Sequence, residues 1–295
     1  MKNRLFILCL ALLLGFTEFL PLPARAESVL LKAIQPRVEE SGDAAERAAR
    51  DLLEILPEPG PVAANPTLGD AKLKKAFRLM HAFYTSSARR ILPQIPLDLE
   101  KKFANEFFDG FFAEGDNPPE LVAKMNGVIA RLSPFISRKD LKAKVGILGG
   151  GGIMGFAKGG EWIVITDEMA AWPPDQIAGI LAHELCHLVK RDFVKILLIP
   201  CLNKALTARI REDLRPDFGK LTAFFLARFQ RFSEFETDVQ AARLMKQAGF
   251  SPQGLVEVLR RIDTGPVDPR QYLVADHPTC RDRIAALEKS GVLGN

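Results

Sequence analysis

The sequence predicts an α+β fold that is mainly α-helical, with one small β-ribbon or sheet and one deeply buried helix. Three observations predict it. Apolar residues recur at helical spacing through most of the chain. A single glycine-rich stretch, KVGILGGGGIMGFAKGGEWIVIT from Lys144 to Thr166, carries two short β-branched runs. The segment LAHELCHLVKRD, Leu181 to Asp192, has a helical apolar pattern yet holds two histidines and a glutamate.

The chain starts with Lys2 and Arg4, followed by an apolar run from Leu5 to Gly15. Glu18 interrupts that run before it reaches the roughly 20 residues of a membrane span. Ala24-Arg25-Ala26 then supplies small residues around a cut. This order is that of a secretory signal peptide over residues 1–26, cleaved after Ala26; an uncleaved anchor is the alternative. The expected location is periplasmic. Loss of Lys2, Arg4 and Arg25 together with Glu18 takes the formal charge from +4 to +2. With no dense basic stripe either, nothing suggests a nucleic-acid partner and none is expected. Cys186, Cys201 and Cys280 remain, too sparse for a disulfide framework. One bridge, Cys201 to Cys280, is the pairing we expect.

The elements follow in order. Ala45, Ala48, Ala49, Leu52, Leu53 and Leu56 place a helix over Ser41–Leu56, and the proline-rich Pro57–Asp70 is a connector. Leu73, Phe77, Met80, Tyr84 and Ile91 mark a stripe of a second helix. A third covers Leu97–Phe112, where Phe103, Phe107, Phe108, Phe111 and Phe112 read as helix-to-helix core. Pro118–Leu132 is a fourth. Val145–Leu148 and Glu161–Thr166 read as a hairpin or ribbon joined by a flexible glycine loop; no Gly-Lys-Ser/Thr closes that loop, so it is not a phosphate loop. Trp172–Asp175 starts the helix that bears the histidines, with proline in its first turn. Phe193–Leu202 is apolar, but Lys195, Pro200 and its short length make it an amphipathic cover rather than a membrane span. A long helix runs from Pro216 to Ala248 and stops at Gly249. Ser251-Pro252 starts another through Ile262, and the last follows His277-Pro278 and ends near Ser290.

Residues four apart on a helix lie one turn above each other on one face. His183 and His187 can therefore offer two imidazole nitrogens to one ion. Glu184 is turned by roughly 100° from His183, so it is free to take a proton from an attacking water. The alternative is a hydrogen-bonded core pair. In a chain with only four histidines, a chance His-Glu-x-x-His is improbable, which favours the metal. A third ligand must come from elsewhere. In RFSEFETDVQAARL, Arg231 to Leu244, Glu234 and Asp238 share a helix face and Glu236 does not. Glu234 suits the third ligand, and Asp238 suits a carboxylate that accepts the outer N–H of a ligand histidine. The competing reading is a solvated acidic face balanced by Arg228 and Arg231.

Together these residues resemble the HtpX- and Oma-like zinc metallopeptidases, the family that also holds the CAAX prenyl proteases. That family follows HExxH with Ser-Arg-x-x-Glu-x-x-Ala-Asp. Here the second element is Gln230-Arg231-Phe232-Ser233-Glu234-Phe235-Glu236-Thr237-Asp238, with Gln230 in place of Ser and Thr237 in place of Ala. Met154–Ile163 resembles the family's ribbon, without its Asn and Pro. Ala248–Pro252 and the His277-Pro278 and Arg283-Ile284 pairs resemble its later elements. The resemblance spans about Lys144 to Leu287 and leaves residues 27–138 uncovered.

It implies a zincin-like metallopeptidase core over residues 139–295, behind a helical region over 27–138. One Zn2+ per chain is expected on His183, His187 and Glu234, with Asp238 behind a histidine and Glu184 as the general base. His277 is implied near the zinc, where it either donates to an oxyanion or fills the open position and holds the enzyme latent; a plain helix-capping role is the third reading. An extended peptide is expected beside the Trp162–Thr166 strand, contacting Trp162, Ile163 and Val164, with Arg283 a further oxyanion donor. The expected function is a periplasmic zinc endopeptidase acting on unfolded or misassembled envelope polypeptides. The alternative is a latent or non-cleaving chaperone-like binder with a closed zinc site. The sequence leaves peripheral membrane contact and oligomeric state open.

Overall fold

The computed structural model describes residues 36–39, 43, 47–48, 71–108, 118–149, 152–157, 159–207, 232–263, 265 and 278–294. Most of the helix expected at Ser41–Leu56, the connector after it, the start of the long helix, and His277 lie outside these residues. The chain forms two compact units: residues 1–99 with 194–230, and residues 100–193 with 231–295.

In the first unit, α1 (Ala71–Ile91) buries Met80, Tyr84 and Ile91, the stripe expected from helical spacing. Burial pushes the Tyr84 phenol well above its usual range. The helix α2 (Leu97–Phe108) passes from this unit into the second. The side chains of its phenylalanines are outside the described part. The apolar stretch expected at Phe193–Leu202 lies within a longer helix, α6 (Asp192–Thr207), which starts in the second unit and belongs to the first from Val194 on. Among the described residues no helix is long and apolar enough to cross a membrane.

The second unit carries the sheet. After α3 (Pro119–Leu132) come β1 (Lys144–Leu148), β2 (Gly155–Ala157) and β3 (Trp162–Thr166). Their spatial order is β1-β3-β2. The expected hairpin is corrected here. β1 and β3 run parallel, with Lys144 opposite Trp162 and Leu148 opposite Thr166. Parallel neighbours need a crossover, and the glycine-rich segment supplies it, laying down β2 antiparallel to β3 on the way. Alternation splits the side chains of the sheet between two faces. Val145, Ile147, Ile163 and Ile165 face the main core, while Leu148 and Val164 face a smaller cluster with Ala104, Met154, Phe156 and Trp162. Burial on both faces is why these strands read as continuous apolar runs.

The short α4 (Asp167–Ala170) leads into α5 (Pro174–Lys190), the helix with both histidines. Pro174 occupies its first turn and Arg191, at φ 55°, is its left-handed cap. Residues 232–247 form α7, which Gly249 ends at φ 75° with Phe250 N–H donating back to Met245 O at 2.9 Å. Then come α8 (Gln253–Ile262) and α9 (Cys280–Lys289). The main core is built from α3, α5, α7, α8, α9 and one face of the sheet.

Two glycines let α5 and α8 approach closely. A Cβ on Gly179 would stand 2.9 Å from Leu255 Cα, and one on Gly254 would collide with the Asp175 carbonyl. Gly254→Ala should therefore push α8 off the histidine helix and cost about 1–3 kcal/mol, read as a lowered thermal midpoint. An unchanged midpoint would rule out this contact as a constraint.

The bridge expected between Cys201 and Cys280 is absent. Cys186, Cys201 and Cys280 are all free thiols, and Cys201 and Cys280 belong to different units. Cys186 is a small buried residue whose thiol burial pushes up to about 12.

Candidate metal centre

Helix α5 is buried on nearly all sides, from Gln176 to Cys186 and again at Leu188. One face of its last two turns presents His183 and His187, with Nε2 atoms 3.0 Å apart. Glu234 comes from α7. Its Oε1 lies 3.2 Å from His187 Nε2 and its Oε2 lies 3.4 Å from His183 Nε2. The structure thus brings these three residues together, with their donor atoms within 4.8 Å of one another.

Each imidazole is held from behind by its own carboxylate. His183 Nδ1 lies 2.9 Å from Asp238 Oδ1, and His187 Nδ1 lies 2.8 Å from Asp192 Oδ2. A carboxylate can only accept, so each Nδ1 carries a proton, and each Nε2 can offer its lone pair to an ion that replaces its own proton. Three electron-rich atoms so arranged repel one another unless a proton or a metal cation sits among them. Two ligands about 2.1 Å from a tetrahedral zinc ion stand about 3.4 Å apart, close to the spacings seen here. The donor set fits Zn2+.

The electrostatics agree. Burial disfavours the charged form of His187, but hydrogen bonds to Asp192 and Glu234 and the negative charge of Glu234 and Glu184 outweigh it, raising the imidazole to about 10. His183 is also raised. Burial opposes this, and the Glu234 charge and the hydrogen bonds to Asp238 and Glu234 overcome it. The pocket attracts positive charge, as a dication site must. Glu184 follows His183 on the helix, is 9% exposed, and contributes to the field at His187.

Arg283 of α9 has a different place from the expected substrate contact. Its Nε donates to Asp238 Oδ2 at 2.7 Å and its Nη2 to Asp238 Oδ1 at 2.6 Å, while Nη1 lies 3.3 Å from Glu234 Oε2. It is 8% exposed. Two of its nitrogens hydrogen-bond Asp238 and the third pairs with Glu234, so the guanidinium helps to fix the site. Burial pushes the Asp238 carboxyl up, but the Arg283 and His183 contacts prevail and hold it below the usual range.

The expected peptide track also needs correction. β3 is the inner strand, bonded to β1 on one side and β2 on the other, so no chain can be added beside it. Ile163 and Val164 are fully buried, and Trp162 donates its indole N–H to Asn105 Oδ1 at 3.0 Å. His277 lies outside the described residues. The capping role weighed for it belongs to Thr279, whose hydroxyl accepts from Asp282 N–H at 3.1 Å.

Asp192 escaped the sequence reading. It stands five residues after His187, beyond the end of the helical pattern. The left-handed turn at Arg191 redirects the chain and places the Asp192 carboxylate at Nδ1 of His187. The signal was the polar Lys190-Arg191-Asp192 run closing an otherwise apolar helix.

Paired imidazoles and a carboxylate with a glutamate beside them define a metal-dependent hydrolase centre. The profile of peptidase family M48 matches residues 123–290, more than half of the chain, and the chain belongs to that family of zinc-dependent metallopeptidases. Among solved structures, the crystal structure of Ste24p from S. mikatae is similar at 13% identity and a TM-score of 0.39, covering 88% of this chain and 98% of that one. No curated protein matches.

Proposed function

We propose that this protein is an exported zinc endopeptidase that cuts unfolded or misassembled envelope polypeptides. The observation that carries the reading is the convergence of His183, His187 and Glu234, with Glu184 on the next position of the same helix. Zinc held there would polarise the scissile carbonyl and acidify the attacking water. Glu184 takes the proton from that water and returns it to the leaving amine. Asp238 and Asp192 keep the imidazoles in the tautomer that leaves Nε2 unprotonated. Arg283 holds Glu234 and Asp238 in place.

The polypeptide lies along the outer edge of β2. Phe156 pairs with Val164, and Thr166 N–H donates to Met154 O at 3.0 Å, so ladder alternation turns the N–H of Ala157 away from β3. A Cβ on Gly155 would stand 3.3 Å from Ile180, which is one turn before Glu184. A chain added at this edge passes the catalytic face and is read through its backbone, which suits substrates without fixed structure. Ala157→Pro removes only the outward N–H and adds ring bulk at an edge that tolerates proline. We expect KM for an unfolded polypeptide to rise about tenfold, with zinc content retained. An unchanged KM would place the substrate elsewhere.

The expected exported product begins at Glu27, which N-terminal sequencing of periplasmic material checks. The activity itself is tested by incubating the zinc-loaded full chain with an unfolded polypeptide. Fragments that disappear on chelation and return with zinc support the reading. Tight zinc binding together with client binding, but no cleavage, would replace it with a binding protein.

A further inference from the structure

The His183 side of the centre is balanced, because Asp238 carries Arg283 behind it. The His187 side has a cation of its own. Lys190, the last residue of α5, places its Nζ 2.9 Å from Ser233 Oγ, 3.2 Å from Ser233 O, 2.9 Å from Thr237 Oγ1 and 3.2 Å from Asp192 Oδ2. We propose that Lys190 is a positioning residue that sets the affinity of the centre for zinc, by fastening the two ligand helices together and by holding Asp192 on His187. The inference rests on the zinc reading of the site.

The geometry is specific. Lys190 is three residues after His187, and Ser233 is immediately before Glu234. One ammonium therefore ties the end of the histidine helix to the start of the glutamate helix. Ser233 and Thr237 stand one turn apart on α7 and share the load, with Thr237 Oγ1 also donating to Ser233 O at 2.7 Å. Asp192 Oδ2 receives Lys190, Ser233 Oγ at 3.0 Å and His187 Nδ1 at 2.8 Å. Removing the ammonium leaves that carboxylate short of positive charge and takes away the polar fastening at the His187 end of the two helices, while the His183–Asp238 contact one turn away remains. His187 Nε2 and Glu234 Oε1 then lose the constraint that keeps them 3.2 Å apart. Glu236 lies 3.9 Å from the ammonium and is half-exposed, so it contributes little. Thr237 occupies the position where the resembling pattern has alanine, so this part of the fastening belongs to this chain.

The sign of the effect separates positioning from simple charge. A nearby ammonium repels a dication. If Lys190 acted only as a point charge, Lys190→Met would tighten zinc binding. If it positions the ligands, the same change weakens it.

The test uses the full chain and zinc alone, titrated against a chromophoric chelator, with Co2+ absorption as a report on coordination geometry. Metal-free thermal midpoints are measured in parallel. Lys190→Met and Asp192→Asn should each weaken zinc about 10–100-fold and alter the Co2+ bands. Thr237→Ala should weaken it a few-fold. Unchanged or tighter zinc in Lys190→Met, with only the metal-free midpoint lowered, would overturn the proposal and leave Lys190 a structural clamp. Should that variant fail to fold, Asp192→Asn and Thr237→Ala decide on the same criteria. A wild-type chain that binds no zinc would instead sink the metal centre itself, a different outcome from variants that match a zinc-binding wild type.

Discussion

Glu184→Gln is expected to abolish measurable peptide hydrolysis while leaving zinc bound. Glutamine keeps the size and the hydrogen-bonding oxygen of the side chain but cannot accept the proton of the attacking water. General base catalysis is worth about 10²–10⁴ in rate, and in the proposed mechanism the same residue serves again as the acid towards the leaving amine, so the loss should reach the upper end. The proposed zinc ligands are His183, His187 and Glu234, so metal content and thermal midpoint should match those of the wild type. The measurement is kcat on an unfolded polypeptide beside metal analysis of the same sample. A variant that cuts at the wild-type rate would remove Glu184 from the chemistry. One that loses zinc would show that its place on the helix is structural instead.

Asp238→Ala is the largest stability effect we expect. Asp238 is 1% exposed and takes two short hydrogen bonds from Arg283, which is itself buried. Deleting the carboxylate leaves the guanidinium in the core with Glu234 as its remaining partner at 3.3 Å, and releases His183 Nδ1 from its acceptor. Breaking one side of a buried pair costs about 3–5 kcal/mol, a large share of the roughly 5–15 kcal/mol that holds a domain together. Two consequences should appear together: a steep fall in thermal midpoint without metal, and weakened zinc. The double variant Asp238→Ala with Arg283→Met should recover part of the stability, because no buried charge is then left unbalanced, but not the zinc affinity. A single variant as stable as the wild type would mean that the pair contributes nothing net.

What was legible in the sequence followed from periodicity and from rare residue types. Helices at Ala71–Ile91, Pro119–Leu132, Pro174–Lys190 and Gln253–Ile262 carry strong apolar spacing and punctuating Pro or Gly, and each could be placed to within a few residues. His183, His187 and Glu234 could be grouped because histidine is scarce and i, i+4 spacing converts directly into geometry. Three things could not be read. Strand direction was one: Val145–Leu148 and Glu161–Thr166 look alike as a hairpin or as a crossover pair, and only the pairing shows that β3 is internal. Partnership between buried charges was another. Arg283 reads as a further oxyanion donor, and only the structure shows Asp238, 45 residues away, against it. The third was the role of residues just past a helix end. Asp192 reaches His187 through a left-handed turn at Arg191, a conformation that no periodicity announces in a residue other than glycine.

The dispersal of the centre along the chain has a consequence for its assembly. The imidazole pair is local to one helix, but the carboxylate that completes the set and the guanidinium that steadies it come from far downstream, with Arg283 100 residues beyond His183. A newly made or partly folded chain therefore offers a metal only two nitrogens, a weak and poorly selective grip. On the zinc reading, tight capture is expected only once the helix of Glu234 has packed against the histidine helix, so uptake of the ion should report formed tertiary structure. A protease built this way stays harmless for as long as it remains unfolded.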